Sequence, residues 1–304
     1  MILSSQEIIF IYMQLLRLIP KLFLRHKIVE FACKMKLHDR LNETEFNDGS
    51  KAFLDLLDPE PRNIFIRGSF EPDFFRISSA FVCKNGCFFD LGANHGLCSF
   101  GLLPNFPSLE FHIFEANESL FNTIKLSTTL HPHSSFFINH ACLSDQEGTS
   151  RFHVENAQSG QSHVATEQEN GIEIKNLLLD KYCDEKKIDV IEFAKIDLEG
   201  HELSALKGWS RYLKKKAVRA IYIEIMPENQ KRYSLKTNAP LQYLESFGYE
   251  LYLCKEEDFG NFGEKPKEYQ FESRTLNLSR FKAQDFPNDF ASDVLALAYE
   301  NHKS

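Results

Sequence analysis

The chain has 304 residues, 43% of them hydrophobic and 26% charged, enough to bury a full core in an ordinary soluble composition. A net charge of -8 leaves no basic excess to displace counterions from a phosphate backbone, which excludes nucleic acid as a partner. The seven cysteines are scattered without a CxxC pair, which excludes a zinc framework or disulfide scaffold and suits a reducing, cytoplasmic setting.

The first stretch, "IIFIYMQLLRLIPKLFLRHK" (8–27), is apolar but interrupted by Gln14, Arg17, Pro20 and Lys21, so a spanning helix is not expected. It lacks a small-residue cleavage site, so neither is a secretory signal. Gln14, Arg17, Lys21 and Arg25 recur at helical spacing and leave a broad apolar face. That face suits packing on its own domain or a second copy in a homo-oligomer; the alternative is peripheral contact with a membrane surface. Residues 1 to about 60 read as helices with polar connections, closed by the breaker cluster "DPEPRN" (58–63). We therefore expect an N-terminal helical extension over 1–69 and a main domain over 70–304. "EPDFFRISSAF" (71–81) opens on acid-proline and continues with helical periodicity.

From Gly86 a strand–helix rhythm sets in. "CFFDL" predicts a strand and Gly96 to Leu103 a helix. "LEFHIFEA" (109–116) predicts the next strand, 118–130 a helix and "SSFFINHACL" (134–143) a third strand. "TSRFHV" alternates like an exposed strand, and polar residues 155–170 predict a mobile loop. "IDVIEFAKIDLEG" (188–200) reads as a long strand, followed by a helix to about Lys216. The strand "VRAIYIEI" (218–225), a helix near 238–247, "GYELYLC" and "DVLALAY" (293–299) complete the order. Such βαβ alternation predicts a parallel sheet covered on both faces, with ligands at the carboxyl ends of its strands.

Those strand ends are mostly acidic: Asp90, Glu115, Asp197, Glu199 and Glu224. A dinucleotide loop has the spacing G-x-G-x-x-G, whereas Asp90 to Gly96 reads Asp-x-Gly-x-x-x-Gly. An acid in that loop repels pyrophosphate, which argues against a nicotinamide-linked oxidoreductase, but suits a cationic amino group. Glu115, 25 positions later, is placed to accept from two ribose hydroxyls. A ligand with a ribose, an ammonium and no phosphate is S-adenosylmethionine. Asp90 alone would equally read as a helix-capping acid.

"FFDLGANHG", "IFEAN", "ACLSDQEGT", "FAKIDLEGHE" and "IYIEI" follow one another as in the FkbM-family methyltransferases, which the chain resembles over about residues 70–255. The resemblance implies an α/β, Rossmann-like class I methyltransferase fold, doubly wound and mostly parallel with an antiparallel last strand. It implies S-adenosylmethionine as donor and a hydroxyl of a sugar, glycolipid or secondary metabolite as acceptor. It places Asp90, Gly92, Ala93, Asn94 and Gly96 around the methionine moiety, Glu115 and Ala116 at the ribose, and Ala141 in the turn bordering the adenine. His95 departs from the family's small or aliphatic residue and reads as a partly exposed helix N-terminal residue.

Methyl transfer from a sulfonium needs an aligned acceptor and a group to take its proton. Asp197, Glu199 and His201 are the candidates, with Lys195 neutralising the acids and Glu202 an exposed helix residue. Strand alternation puts Lys195, Asp197 and Glu199 on one face if the strand runs that far. Asp197 and Glu224 also stand as the carboxylates of catechol-type methyltransferases do, where Mg²⁺ would lower a hydroxyl pKa. Nothing else in the chain demands a metal, and metal-free transfer is the preferred reading. Lys255 to Ser292, rich in aromatics, is expected as an insertion (255–292) covering the acceptor. The competing class is a non-catalytic S-adenosylmethionine-binding protein of the same fold.

Overall fold

A computed structural model of the chain describes residues 19, 22–47, 49–155, 158–271 and 274–298. Most of the 8–27 stretch therefore lies outside the described residues. The first elements are α1 (Leu22–Lys34), a hairpin of β1 (Leu41–Phe46) and β2 (Ser50–Asp55), α2 (Pro59–Arg67) and α3 (Pro72–Ser78). The hairpin corrects the all-helical expectation for this region. Its reversal uses left-handed backbone at Asn47 (φ 45°) and Gly49 (φ 117°). The buried face of β1 is Asn42, Thr44 and Phe46, so two polar residues point inward and hide the alternation.

The strand–helix rhythm is present in β3 (Cys87–Leu91), α4 (Leu97–Leu102), β4 (Glu110–Glu115), α5 (Glu118–Thr128) and β5 (Ser135–His140). Four short strands, β6 (Cys142–Leu143), β7 (Thr149–His153), β8 (His163–Val164) and β9 (Ile172–Leu177), then form a separate small sheet. Residues 155–170 thus contain ordered structure, a 3₁₀ turn at Ser159–Gln161 and β8, rather than a plain mobile loop. Next come α6 (Leu179–Lys186), β10 (Ile191–Ile196), α7 (Glu202–Lys207), α8 (Ser210–Lys214), β11 (Val218–Ile225), α9 (Pro227–Arg232), α10 (Ala239–Ser246) and β12 (Tyr249–Leu253). The chain closes with β13 (Lys267–Gln270), β14 (Thr275–Phe281) and β15 (Ser292–Ala298).

The main sheet has the order β13-β14-β12-β15-β11-β10-β3-β4-β5. The strands β11, β10, β3, β4 and β5 run parallel, and β15 lies antiparallel between β11 and β12. This is the Rossmann-like α/β arrangement with an antiparallel last strand. Alternate side chains sort into two cores. Phe88, Phe193 and Tyr222 face one side together with Val29, Phe46, Leu54 and Ile64 of the N-terminal segment. Phe89, Ala194 and Ile221 face the other, under α6, α7, α8 and α10. One face of the sheet is therefore closed by residues before position 69, and the core is continuous across that position.

None of the described residues from Lys255 to Ser292 lines the cavity at the carboxyl ends of the strands. The segment is a second hairpin, β13 with β14, that lengthens the sheet beyond β12. Phe271, Phe281 and Phe286 are buried, Phe271 edge-on to Phe81 at 4.6 Å. Sheet-edge burial uses up the aromatics that the length of this connection suggested for a lid.

Candidate active site

From β3 the chain passes to β4 and β5 on one side, then crosses to β10 and β11 on the other. The connections after β3 and β10 therefore diverge and leave a crevice at the carboxyl ends. A cavity of about 590 Å³ occupies it. The two strand ends nevertheless touch below it: a Cβ on Gly92, where φ is 79°, would fall 1.8 Å from the Asp197 carbonyl oxygen. Only a residue without a side chain fits there.

On the β3–β4 side, Gly92, Ala93, Asn94, Glu115, Ala116 and Ala141 line the cavity. The Asn94 amide donates to Glu115 Oε2 at 2.8 Å and the Asn117 amide to Oε1 at 2.7 Å. Each carboxylate oxygen so keeps a further lone pair for a hydroxyl. Burial pushes the Glu115 carboxyl up to about 7. Beyond it Phe114, Leu120, Cys142, Leu143 and Phe152 form an apolar slot. A carboxylate with two free lone pairs beside an apolar slot fits a ribose joined to an adenine.

Asp90, expected beside the amino group, does not line the cavity. It is fully buried behind the wall, where Ser99 Oγ donates to Oδ2 at 2.6 Å. It pairs in register with Lys195 across the sheet. Burial raises its pKa, while the Lys195 charge opposes that rise. Gly96 lies at the start of α4 with φ 73° and ends the loop. His95, expected partly exposed, is only 2% exposed: the loop turns it into the cavity wall, beside Asp58.

On the β10–β11 side, the strand ends at Ile196, short of the expected 200. Alternation therefore does not carry Glu199 to the Asp197 face. A left-handed turn does so instead, with φ 53° at Glu199 and 101° at Gly200. A Cβ on Gly200 would lie 2.3 Å from the Asn229 carbonyl oxygen. The turn brings carboxylate oxygens of Asp197, Glu199 and Glu224 within 4.8 Å of one another. Lys195 Nζ, buried among them, donates to Asp197 Oδ2 at 2.8 Å. Burial opposes that lysine's charge, but Asp197 and the surrounding acids hold it protonated. The charge of Asp197, together with burial, raises the Glu224 pKa. Glu199 accepts from Asn229 Nδ2 at 2.6 Å, and burial pushes its carboxyl up to about 7. His201 lines the same cavity, its ring 5.6 Å from Tyr233; burial lowers its pKa to about 4, so it is neutral at pH 7.

Glu202 is not an exposed helix residue. It is 2% exposed and accepts from the amides of Leu198 and Gly200, both at 3.0 Å, and from Gln230 Nε2. Its carboxylate shapes the turn that presents Asp197 and Glu199. The structure also adds cavity residues that no strand-end reading reaches: Glu60 and Ile64 of α2, Phe70, Glu71, and Gln158 to Ser162. Ser159 ties this last segment down, its amide donating to Asp58 Oδ2 at 3.0 Å and its hydroxyl to Asn94 Oδ1 at 3.2 Å. Acidic residues scattered through a polar segment carry no periodic signal that would have marked them.

The sheet order, the glycine loop and a buried carboxylate facing a cluster of acids suit an S-adenosylmethionine-dependent methyltransferase. Residues 90–251, more than half of the chain, match the family model described as the methyltransferase FkbM domain, and the chain belongs to that family. S-adenosylmethionine is accordingly its methyl donor. No curated protein matches the chain. Solved structures similar to it include the precorrin-6y C5,15-methyltransferase of Geobacter metallireducens, at 9% identity over 75% of this chain and 88% of that one, TM-score 0.39. Another is an S-adenosylmethionine-dependent methyltransferase of Aquifex aeolicus, at 9% identity over 69% and 88%, TM-score 0.36. A third is TrmK of M. capricolum in complex with S-adenosylhomocysteine, at 10% identity over 70% and 69%, TM-score 0.33.

Proposed function

We propose that the chain methylates a hydroxyl oxygen of a neutral, polyhydroxylated acceptor, such as a sugar, a glycolipid or a hydroxylated secondary metabolite. The observation that supports this reading is the charge of the cavity. Glu60, Glu71, Asp197, Glu199 and Glu224 line it, against Lys195 and Arg232 as the only basic side chains among the described lining residues. Such a wall offers few cations to a phosphorylated or carboxylated acceptor and many carboxyl oxygens to hydroxyl groups.

The donor supplies an activated methyl group, and the protein supplies position and a base. Asp197, held by Lys195, accepts a hydrogen bond from the acceptor and orients it. Glu199, near 7, takes the hydroxyl proton as the oxygen–carbon bond forms and the carbon–sulfur bond breaks. His201, lowered to about 4 and so neutral at pH 7, lines the same cavity without competing with Glu199 for that proton.

Incubation with methyl-labelled S-adenosylmethionine against glycans, lipid-linked sugars and hydroxylated metabolites, followed by mass spectrometry, tests the reading. The expected product carries the label on oxygen, with phosphorylated analogues poorer acceptors. A label on nitrogen or carbon, or a preference for anionic acceptors, overturns it. Donor binding without transfer to any acceptor favours a non-catalytic binding protein.

A further inference from the structure

Nine large hydrophobic side chains are exposed among the described residues, and seven of them fall between Phe23 and Leu41. On α1 Leu24, Ile28 and Phe31, and Met35 just after it, follow the i, i+4, i+7, i+11 spacing of one helix face. Phe23, Phe31, Met35 and Leu37 are 57–76% exposed. The opposite face carries Val29, Ala32 and Cys33, which are buried, Val29 and Cys33 in the core beneath the sheet. The helix is thus apolar on both sides, and among the described residues it is the inner side that is packed. It is also fixed in place: Arg62 of α2 donates to His26 Nδ1 at 3.5 Å and lies 3.8 Å from Glu30.

The charge of the segment is opposite to that of the molecule. Between residues 17 and 40 seven Lys and Arg stand against Glu30 and Asp39, a local net charge of +5 in a chain of -8. Lys27, whose ammonium lies 5.6 Å from the Phe23 ring centroid, Lys34 and Lys36 border the apolar face. The sequence also continues apolar upstream to Ile8. We infer that the outer face of α1, from Phe23 to Leu37, docks on a lipid bilayer surface bearing anionic headgroups. The aromatic and aliphatic side chains enter the acyl boundary, and the lysines stay at headgroup level. The contact is peripheral, since no helix of the described residues is long and apolar enough to cross a membrane. A second copy is the poorer occupant, because a two-fold interface would set one basic face against another.

The test is co-sedimentation of the full chain with vesicles of phosphatidylcholine alone and of phosphatidylcholine with phosphatidylserine, at low and high salt. Light scattering in parallel gives the oligomeric state. Binding is expected to the mixed vesicles only, and to fall at high salt. Phe31→Glu with Leu37→Glu should abolish it, and Lys27→Glu with Lys36→Glu should weaken it by about tenfold or more. S-adenosylhomocysteine affinity, measured by calorimetry, should stay at the wild-type value in all variants and so report the fold. Failure of the wild-type chain to bind the mixed vesicles overturns the inference, as does binding indifferent to both pairs of substitutions. A dimer broken by Phe31→Glu with Leu37→Glu assigns the face to a second copy and equally overturns it.

Discussion

Glu115 already accepts two backbone amides, so its remaining lone pairs are aimed by the fold before any ligand arrives. Glu115→Ala should weaken S-adenosylhomocysteine binding by about 1.5–3 kcal/mol, the range for hydrogen bonds to a charged group. The pH dependence carries a sign. Ribose hydroxyls prefer the ionised carboxylate, and burial holds Glu115 up near 7, so calorimetric affinity should rise between pH 6 and pH 8. Glu199 titrates in the same window across the cavity, so the comparison that decides is Glu115→Gln, which should flatten the rise. On the transfer side, Glu199→Gln should lower kcat by about 10²–10⁴-fold with donor affinity unchanged. Wild-type turnover in a folded Glu199→Gln protein would move the base to His201 or Asp197. Lys195 already sets a positive charge against Asp197, so EDTA should leave turnover intact. Loss of activity restored by Mg²⁺ would replace this base with a metal-held hydroxyl. At this scale the sequence showed the acids that end strands. It could not show His95 and Glu202 turning inward, because their burial is decided by Asp58 and Gln230, far away in the chain.

Elements built on continuous apolar runs were the most legible: β11 spans Val218–Ile225, the stretch the pattern marks. Elements were missed where an inward residue is polar or a neighbour intrudes. Asn42 and Thr44 hide β1 in this way. The helix expected to run to Lys216 divides around Gly208, where a Cβ would lie 2.1 Å from the Ser144 carbonyl oxygen. A close approach also governs the turn after β3. Gly92→Ala adds a methyl 1.8 Å from the Asp197 carbonyl oxygen, at φ 79°, in the segment that carries Asn94 to Glu115. The substitution should destabilise the protein by at least about 1–3 kcal/mol and weaken donor binding with it. Urea unfolding and calorimetry on one preparation check both, and an alanine variant with wild-type donor affinity would show that the two loops part without disturbing the site.

Across the whole molecule the family match begins at residue 90, yet Phe46, Leu54 and Ile64 close one face of the sheet and Glu60 and Glu71 enter the cavity. Motifs mark donor binding because that chemistry is shared, whereas Glu60 and Glu71 reach the same cavity from a segment that precedes the match. The burial of acids in and behind the cavity has a thermodynamic consequence. Asp90, Glu115, Glu199 and Glu202 are all raised by burial, so the native state holds protons that the unfolded chain releases. For such acids stability is fully present below the unfolded value, 4.5 for a glutamate, and is lost as the pH climbs to the folded one, about 7 for Glu115. At about 1.4 kcal/mol per unit, Glu115 alone accounts for at most ~3 kcal/mol. Acids drawn down by partners, such as Glu169 at about 2, act only below 4.5 and leave this window untouched. Urea unfolding of the donor-free protein should therefore give lower stability at pH 7.5 than at pH 5.5, and Glu115→Gln should narrow the gap. Saturating S-adenosylhomocysteine should stabilise the protein more at pH 7.5, because it binds the ionised form. Because His112 and His201, lowered to about 4, act with the opposite sign up to about 6.5, a Glu115→Gln protein with the wild-type gap would mean that the Glu115 carboxylate is ionised without penalty in the fold.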